Sequence, residues 1–278
     1  NFNNETSYEE HSLIVSKLKD KIKNYQNLEI ILSELPKGSI LVGGFIRDLI
    51  LDRLSLYPDI DIVIPNNSLD IGKNIAEKFS GKFLILDQDR NIVRIIFRNF
   101  TIDIASQTHE LLVEDLKSRD FTINSVGFSF NDGKLIDPAH GIRDMNDSLL
   151  RSFRDENLLH DPLRILRCFR FVSELNFHIE PHILEFIELN KFRLKTVSVE
   201  RIQYELKRIV QGKEALKTVE FLNEIKIFDW TQSYENNHSN KLLNINFDNF
   251  LQDEIDQFFP IAYLKELLKE PVLTKFKF

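Results

Sequence analysis

Three aspartates interrupt strand-like apolar segments of the sequence in a pattern that suggests a metal site. Asp59 and Asp61 alternate with isoleucines, so a β-strand would project both carboxylates from one face and bury the isoleucines on the other. Asp103 interrupts the apolar run of residues 100–105 in the same way. Neighbouring carboxylates repel one another unless cations lie between them. The three side chains therefore predict a cage for two Mg²⁺ ions, with a solvated strand edge as the alternative interpretation.

A glycine turn precedes this segment and has the residues of a phosphate site. The apolar run of residues 40–42 leads into Gly43 and Gly44 and then into a helical pattern. Glycines let the backbone approach a phosphate closely, and a helix that starts there offers free N–H groups. Arg47 adds a guanidinium that pairs readily with phosphate oxygens. Next to the aspartates, this turn favours a nucleotide site over a solvated strand edge.

The segment from Gly43 to Asp48, followed by Asp59-Ile60-Asp61, resembles the first motif of a known family. That family comprises the class II tRNA nucleotidyltransferases (CCA-adding enzymes) and the bacterial poly(A) polymerases, within the DNA polymerase β-like nucleotidyltransferase superfamily. The resemblance implies a nucleotide-binding turn at Gly43 and Gly44, with Gly44 and Arg47 on the incoming triphosphate. It also implies that Asp59 and Asp61 bind the metals. Asp103, as a third catalytic acid, is inferred from its strand pattern alone.

Residues 114–124 resemble the family's second motif, which lines the nucleotide site near the ribose. Asp120 and Asn124 have the polar groups to bond ribose hydroxyls, and Arg119 offers charge to phosphate. The family usually has two arginines before the aspartate, whereas the first of them is Ser118 in this chain. Only Arg119 is therefore assigned to that role.

A third stretch, residues 160–171, has a helical pattern in which charged residues are set among apolar ones. A three-residue spacing brings several of these charges close to one helix face, namely Asp161, Arg164, Arg167 and Arg170. An acceptor beside a donor fork suits the reading of a base edge, and a structural salt-bridge ladder is the alternative. The stretch resembles the family's amino-acid template, which implies that Asp161 and Arg164 read the base while Arg167 and Arg170 support the nucleotide site. His160 replaces the usual glutamate.

The patterns around these motifs predict an α+β organisation in four parts. Residues 1–36 form an N-terminal helical extension, with one helix over residues 8–35. Residues 37–150 form the catalytic nucleotidyltransferase head on a twisted sheet, which includes a hairpin with its turn at residues 131–133. Residues 151–213 form an all-helical neck that recognises the base, and residues 198–206 resemble the family's supporting neck motif. Residues 214–278 form a helical body with a short or missing tail, and residues 233–249 are expected to be a loop.

Composition narrows the class of protein. The chain has 278 residues, a net charge of −7 and a single cysteine, Cys168, so it has neither an internal disulfide nor a zinc cluster. The sequence contains no run of apolar residues long enough for a membrane span, and we expect a cytoplasmic protein. Basic residues outnumber acidic ones over residues 191–213, which fits either an RNA-facing surface or a solvated helix face. Nothing in the sequence indicates a protein partner.

The resemblance covers residues 40–210, and its four motifs follow in the family's order. It implies a template-independent enzyme that adds CCA, or CC only, to the tRNA 3′ end from CTP and ATP, with Mg²⁺ as cofactor. A poly(A) polymerase or A-adding enzyme and an inactive RNA-binding protein of the same fold are the alternatives. The connection over residues 106–118 is short, as in family members that add only CC, which favours CC addition.

Overall fold

A computed structural model describes residues 8–107 and 112–227, and the chain divides into two compact units between Asp147 and Ser148. The first unit combines helices with one mixed sheet. The described part of the second unit is helical apart from two short strands. The α+β class predicted from the sequence is confirmed.

In its described part, the first unit starts with two helices, followed by seven strands and four further helices. In chain order its elements are α1 (Tyr8–Ile22), α2 (Leu28–Ser33), β1 (Ile40–Val42), α3 (Gly44–Ile50), β2 (Asp59–Ile64), α4 (Ser68–Lys78), β3 (Lys82–Asp87), β4 (Ile92–Ile96), β5 (Thr101–Ser106), α5 (Leu112–Lys117), a 3₁₀ turn (Thr122–Asn124), β6 (Gly127–Ser129), β7 (Lys134–Ile136) and α6 (Gly141–Asn146). The predicted hairpin at residues 131–133 is confirmed, since β6 and β7 pair across it.

The sheet of the first unit orders its described strands β3-β4-β5-β2-β1-β6-β7. β2 and β5 run parallel at its centre, while the other neighbouring strands pair antiparallel. Each central strand buries alternate isoleucines, such as Ile60, Ile62, Ile102 and Ile104, at 1% exposure or less. This burial fixes the register, because a slip by one residue would turn every isoleucine towards the other face.

The single helix predicted over residues 8–35 is wrong, since the chain forms α1 and α2 with a break between them. Asn27 has a positive φ of 67°, which no α-helix interior tolerates. Tyr25 is buried in this break, and its hydroxyl donates to the carbonyl oxygen of Ser55 at 3.0 Å. Tertiary packing of Tyr25 therefore overrides the helical periodicity of the segment.

The described elements of the second unit are β8 (Leu149–Leu150), α7 (Asp155–His160), α8 (Arg164–Leu175), β9 (His178–Ile179), α9 (Pro181–Asn190), a 3₁₀ segment (Lys191–Thr196), α10 (Val199–Val210) and α11 (Ala215–Glu224). The expectation of an all-helical neck needs one correction, because β8 and β9 form a parallel pair. Within the stretch of residues 160–171, which has a helical pattern, α8 starts only at Arg164. Asp161 precedes Pro162 and is extended, at φ −142° and ψ 104°, as the residue before a proline usually is.

The part of the predicted body beyond residue 227, with the loop expected over residues 233–249, lies outside the described residues. Among the residues that the structure describes, no helix combines the length and the apolar character needed to cross a membrane. The four-part domain organisation stays a prediction.

Candidate active site

The strand register aligns the predicted acidic residues in one row across the sheet. Asp61 on β2 lies directly opposite Asp103 on β5, and Asp103 in turn lies opposite Arg94 on β4. Directly opposed residues on neighbouring strands project from the same face with Cβ atoms about 5 Å apart. Asp59 lies two residues before Asp61 on the same strand and is exposed. The sheet thus brings together two carboxylates and a guanidinium, with a third carboxylate beside them.

Asp61 carries the most perturbed carboxyl group of this row. Its pKa is raised to about 6, chiefly by burial; the nearby charges of Asp103 and Asp59 also raise it, whereas Arg119 and Arg94 lower it. A carboxylate that is desolvated next to other acids is a group that a hard cation would stabilise. The donor set around Asp61 consequently fits a divalent metal ion held by oxygen ligands.

Asp103 is bound by Arg94, a residue that the sequence analysis did not single out. The Arg94 Nε and Nη2 atoms donate to the two carboxylate oxygens of Asp103, each at 2.7 Å. In the described part of the chain, no three His, Cys, Asp or Glu side chains are grouped so that they could hold a metal ion. This differs from the open three-carboxylate cage expected from the sequence, because a cation of the protein already neutralises Asp103. The sequence contains a pattern that could have identified Arg94, since this charged residue interrupts an apolar strand as Asp103 does.

Gly43 lies against Asp61 and Arg119. Its φ is +76° with ψ −146°, a backbone region that only glycine adopts readily. A Cβ atom at this position would be 3.0 Å from the Asp61 Oδ2 atom and 3.0 Å from the Arg119 Nη1 atom. The glycine turn, a predicted metal ligand and the arginine of the second motif therefore lie together, although they are far apart in sequence.

Arg47 connects the first and second motifs through a buried hydrogen-bond network. Its Nε and Nη2 atoms donate to the Asp48 carboxylate at 2.9 and 3.0 Å, and Nη1 donates to the Asn124 Oδ1 atom at 2.9 Å. The Asn124 amide donates in turn to the Asp120 Oδ1 atom at 2.9 Å. Arg47, Asp120 and Asn124 are each at most 7% exposed. Three residues predicted to bind nucleotide are thus parts of one buried hydrogen-bond network.

Gly43→Ala is expected to reduce nucleotide transfer by tenfold to a hundredfold, on the order expected for misplacing catalytic groups by a fraction of an ångström. The methyl group would press on Asp61 and Arg119, and the backbone would be strained by roughly 1–3 kcal/mol. Gly133→Ala is the matched control, because Gly133 also has a positive φ of +61° but its Cβ would only touch the Lys19 and Val15 side chains at 3.5 Å or more. Both variants should lose stability in thermal unfolding, and equal activity in the two would contradict the assignment of Gly43.

In the second unit, the two residues predicted to read the base have different anchors. The Asp161 carboxylate accepts from the Arg201 Nη2 atom at 2.5 Å and from the Leu163 backbone N–H at 3.2 Å. The Arg164 Nη1 atom donates to the backbone carbonyl oxygen of Asn157 at 2.5 Å. Both side chains are only partly buried. Sequence reasoning missed Arg201 as the partner of Asp161, since 40 residues separate them.

Arg167 and Arg170 are located in a charged cluster between α8 and α10. Arg170 is 6% exposed and its Nη1 atom donates to both Glu205 carboxylate oxygens, at 3.1 and 3.2 Å. Arg167 is more exposed, and its Nη1 atom lies 4.0 Å from a Glu205 oxygen. Burial lowers the pKa of Arg170 and raises that of Glu205. Their assignment to the nucleotide site stays a prediction, and the structure gives Arg170 a packing partner that the spacing alone did not reveal.

A mixed sheet with paired aspartates beside a glycine turn defines the head of a polymerase β-like nucleotidyltransferase. Comparison with known proteins agrees with this class. Residues 39–151 match the family model of the poly A polymerase head domain, and residues 176–232 match that of the probable RNA and SrmB-binding site of polymerase A. The chain belongs to the family of class II tRNA nucleotidyltransferases (CCA-adding enzymes) and bacterial poly(A) polymerases.

Two relatives in this family are named CC-adding tRNA nucleotidyltransferases. The protein from Synechocystis is 37% identical over 180 residues, which cover 65% of this chain and 43% of that protein. The protein from Geobacter sulfurreducens is 34% identical over 184 residues, covering 66% of this chain and 42% of that protein. The chain thus matches less than half the length of these relatives. Among solved structures, the Thermotoga maritima CCA-adding enzyme complexed with tRNA superposes with a TM-score of 0.80 at 26% identity, covering 95% of this chain and 69% of that one.

Proposed function

We propose that this chain adds nucleotides from CTP and ATP to the 3′ end of tRNA without a nucleic-acid template, forming CC or CCA. The observation that supports this most directly is the row of Asp61 and Asp103, with Asp59 beside it and Gly43 and Arg119 against Asp61. The names of the relatives support the choice of tRNA and CTP, because two are CC-adding enzymes and one is a CCA-adding enzyme bound to tRNA. A protein that acts on these substrates would be located in the cytoplasm.

Asp59 and Asp61 would hold the divalent cations, for which we propose Mg²⁺. Carboxylate oxygens are the ligands that this ion prefers, and the raised pKa of Asp61 indicates a buried charge that a cation would compensate. When bound, Mg²⁺ activates the attacking hydroxyl and stabilises the charge on the leaving phosphates. Asp103, already paired with Arg94, would complete the acidic row.

The remaining head residues would orient the nucleotide for an in-line displacement. The 3′ oxygen of the RNA forms a bond to the α-phosphorus while the bond to pyrophosphate breaks, and the hydroxyl proton is released. Arg119 and the turn at Gly43 and Gly44 would contact the triphosphate, because a guanidinium and the backbone N–H groups at the start of a helix both suit phosphate oxygens. Arg47 would reinforce this turn, and Asp120 and Asn124, which it holds through hydrogen bonds, would face the ribose.

Asp161 and Arg164 would select the base, as the family's amino-acid template does. A carboxylate accepts a hydrogen bond from the exocyclic amino group that both cytosine and adenine carry, and it repels the carbonyl that uracil presents there. A guanidinium donates to the neighbouring ring acceptor. His160 stands where the family usually has glutamate, and Arg164 is anchored by the backbone carbonyl oxygen of Asn157.

CC addition is the more specific form of the proposal. Only residues 106–118 lie in the sequence between the strand segment that contains Asp103 and Arg119 of the second motif. A short connection leaves little backbone to move when a pocket is re-aimed from CTP to ATP. The two relatives named above are also CC-adding enzymes.

Incubation with Mg²⁺, end-labelled tRNA that ends at the discriminator base and each nucleoside triphosphate in turn is the test of the function. We expect two cytidines from CTP alone. On a tRNA that already ends in CC, addition of A should be at least about tenfold slower than addition of C, a barrier difference of about 1.4 kcal/mol. Efficient addition of one A would show that the activity is CCA addition and not CC addition. A long A tract would indicate poly(A) synthesis. No transfer from any nucleotide would refute the proposed function.

A further inference from the structure

The Asp161 carboxylate is held by one partner from its own segment and by one partner that is distant in sequence. Asp161 follows α7 and precedes α8, in extended backbone between two helices. A residue that discriminates bases must hold its oxygens to within about 0.5 Å, which needs partners outside its own backbone. The partners of the carboxylate are Leu163, through its backbone N–H, and Arg201.

We propose that Arg201 is a specificity-determining positioning residue, which aims the Asp161 carboxylate at the base of the incoming nucleotide. This inference rests on the proposed function. Arg201 belongs to α10, whose buried side, including Ile202, Leu206 and Ile209, packs in the core of the second unit. Its Nη2 atom lies 2.5 Å from the Asp161 Oδ2 atom. A well-packed helix therefore carries a donor that orients a carboxylate on the extended segment between α7 and α8.

Each oxygen of the Asp161 carboxylate accepts one hydrogen bond from the protein, which leaves capacity for a base and supports a role in base selection. Oδ2 accepts from Arg201 and Oδ1 from the Leu163 N–H, and each carboxylate oxygen can accept about two hydrogen bonds. Acceptor capacity thus remains for the amino group of a base. A carboxylate has no hydrogen to donate, so Asp161 acts only as an acceptor and rejects a base carbonyl.

A purely structural salt bridge would have different consequences. The two side chains are 53% and 30% exposed, and exposed ion pairs contribute little to stability. Loss of such a pair would change the binding of all nucleotides alike. Loss of a positioning residue would instead change the ratio between cytosine and uracil nucleotides, and that ratio does not depend on the fraction of folded protein.

The experiment compares Arg201→Ala and Arg201→Lys with wild type in kcat/KM for CTP and for UTP, and in the affinity for both nucleotides by calorimetry. The alanine variant should lose about tenfold or more of the preference for CTP, and lysine should restore part of it. Arg208→Ala is the matched control, because Arg208 lies on the same helix and pairs with Glu174 on α8. Its preference should remain that of wild type.

A double-mutant comparison isolates the pair. In the background of Asp161→Asn, Arg201→Ala should produce no further loss of preference, since the group it positions has already been changed. An unchanged preference in Arg201→Ala would overturn the inference while leaving the proposed function intact. If wild type transfers no nucleotide, the proposed function fails, and the calorimetric preference alone decides the role of Arg201. A wild type that binds CTP no better than UTP would overturn the inference.

Discussion

Replacement of Asp61 by asparagine is expected to abolish nucleotide transfer, with a loss of about a thousandfold or more, or about 4 kcal/mol in the barrier. Asparagine has nearly the same shape but carries no charge, so it removes the proposed metal ligand without leaving a cavity. Transfer of a single cytidine to tRNA at saturating Mg²⁺ measures the effect. Asp89→Asn is the matched control, since Asp89 is an exposed residue of the same unit, and it should retain wild-type activity.

The same variant should not be less stable than wild type when no metal is present. Burial and the neighbouring acids raise the pKa of Asp61 to about 6, so the carboxylate form is disfavoured in the folded chain. Wild type should therefore lose stability relative to the neutral variant as the pH rises from the ordinary value of 3.8 to about 6, and the full difference should be present above that range. Below pH 3.8, where both the folded and the unfolded chain bind the proton, wild type and variant should become alike. Addition of Mg²⁺ should raise the melting temperature of wild type and not that of Asp61→Asn. Normal turnover in the variant would rule out Asp61 as a metal ligand.

Arg170→Ala is expected to destabilise the second unit by about 3–5 kcal/mol, because it leaves the Glu205 carboxylate buried without its main counter-charge. Burial already raises the pKa of Glu205, which indicates how much its ionised form relies on the neighbouring arginines. Scanning calorimetry measures the change. Arg201→Ala is the stability control, since its ion pair with Asp161 has side chains that are 53% and 30% exposed and should contribute about 1 kcal/mol or less.

A second variant separates the packing role of Arg170 from the nucleotide-binding role predicted from the sequence. Arg170→Met combined with Glu205→Leu removes both charges and should recover most of the lost stability. If Arg170 only holds α8 against α10, this double variant should bind CTP as wild type does. A stable double variant with weak CTP binding would support direct participation in the nucleotide site. Full stability of Arg170→Ala would show that the ion pair contributes nothing.

Local sequence patterns predicted the strand of the metal-site aspartates and the family of this protein. The alternation of aspartates with isoleucines predicts the strand and the shared face of Asp59 and Asp61, because a strand has a strict two-residue period. The glycine turn and the order of four motifs identify the family. Short elements escaped this reasoning: α6 and α7 each have six residues, fewer than two helical turns, and so carry little periodicity.

Long-range pairing was decided only by the tertiary structure. The register of the sheet places Arg94 opposite Asp103, so Arg94 binds the carboxylate that the sequence analysis assigned to the metal site. Helix packing buries Arg170 against Glu205 and brings Arg201 to Asp161, over separations of 35 and 40 residues. The physical reason is that side-chain periodicity records which face of an element is buried, whereas the partner across that face depends on how the elements dock. The sequence determined which chemical groups are present, and the fold determined which of them neutralise one another.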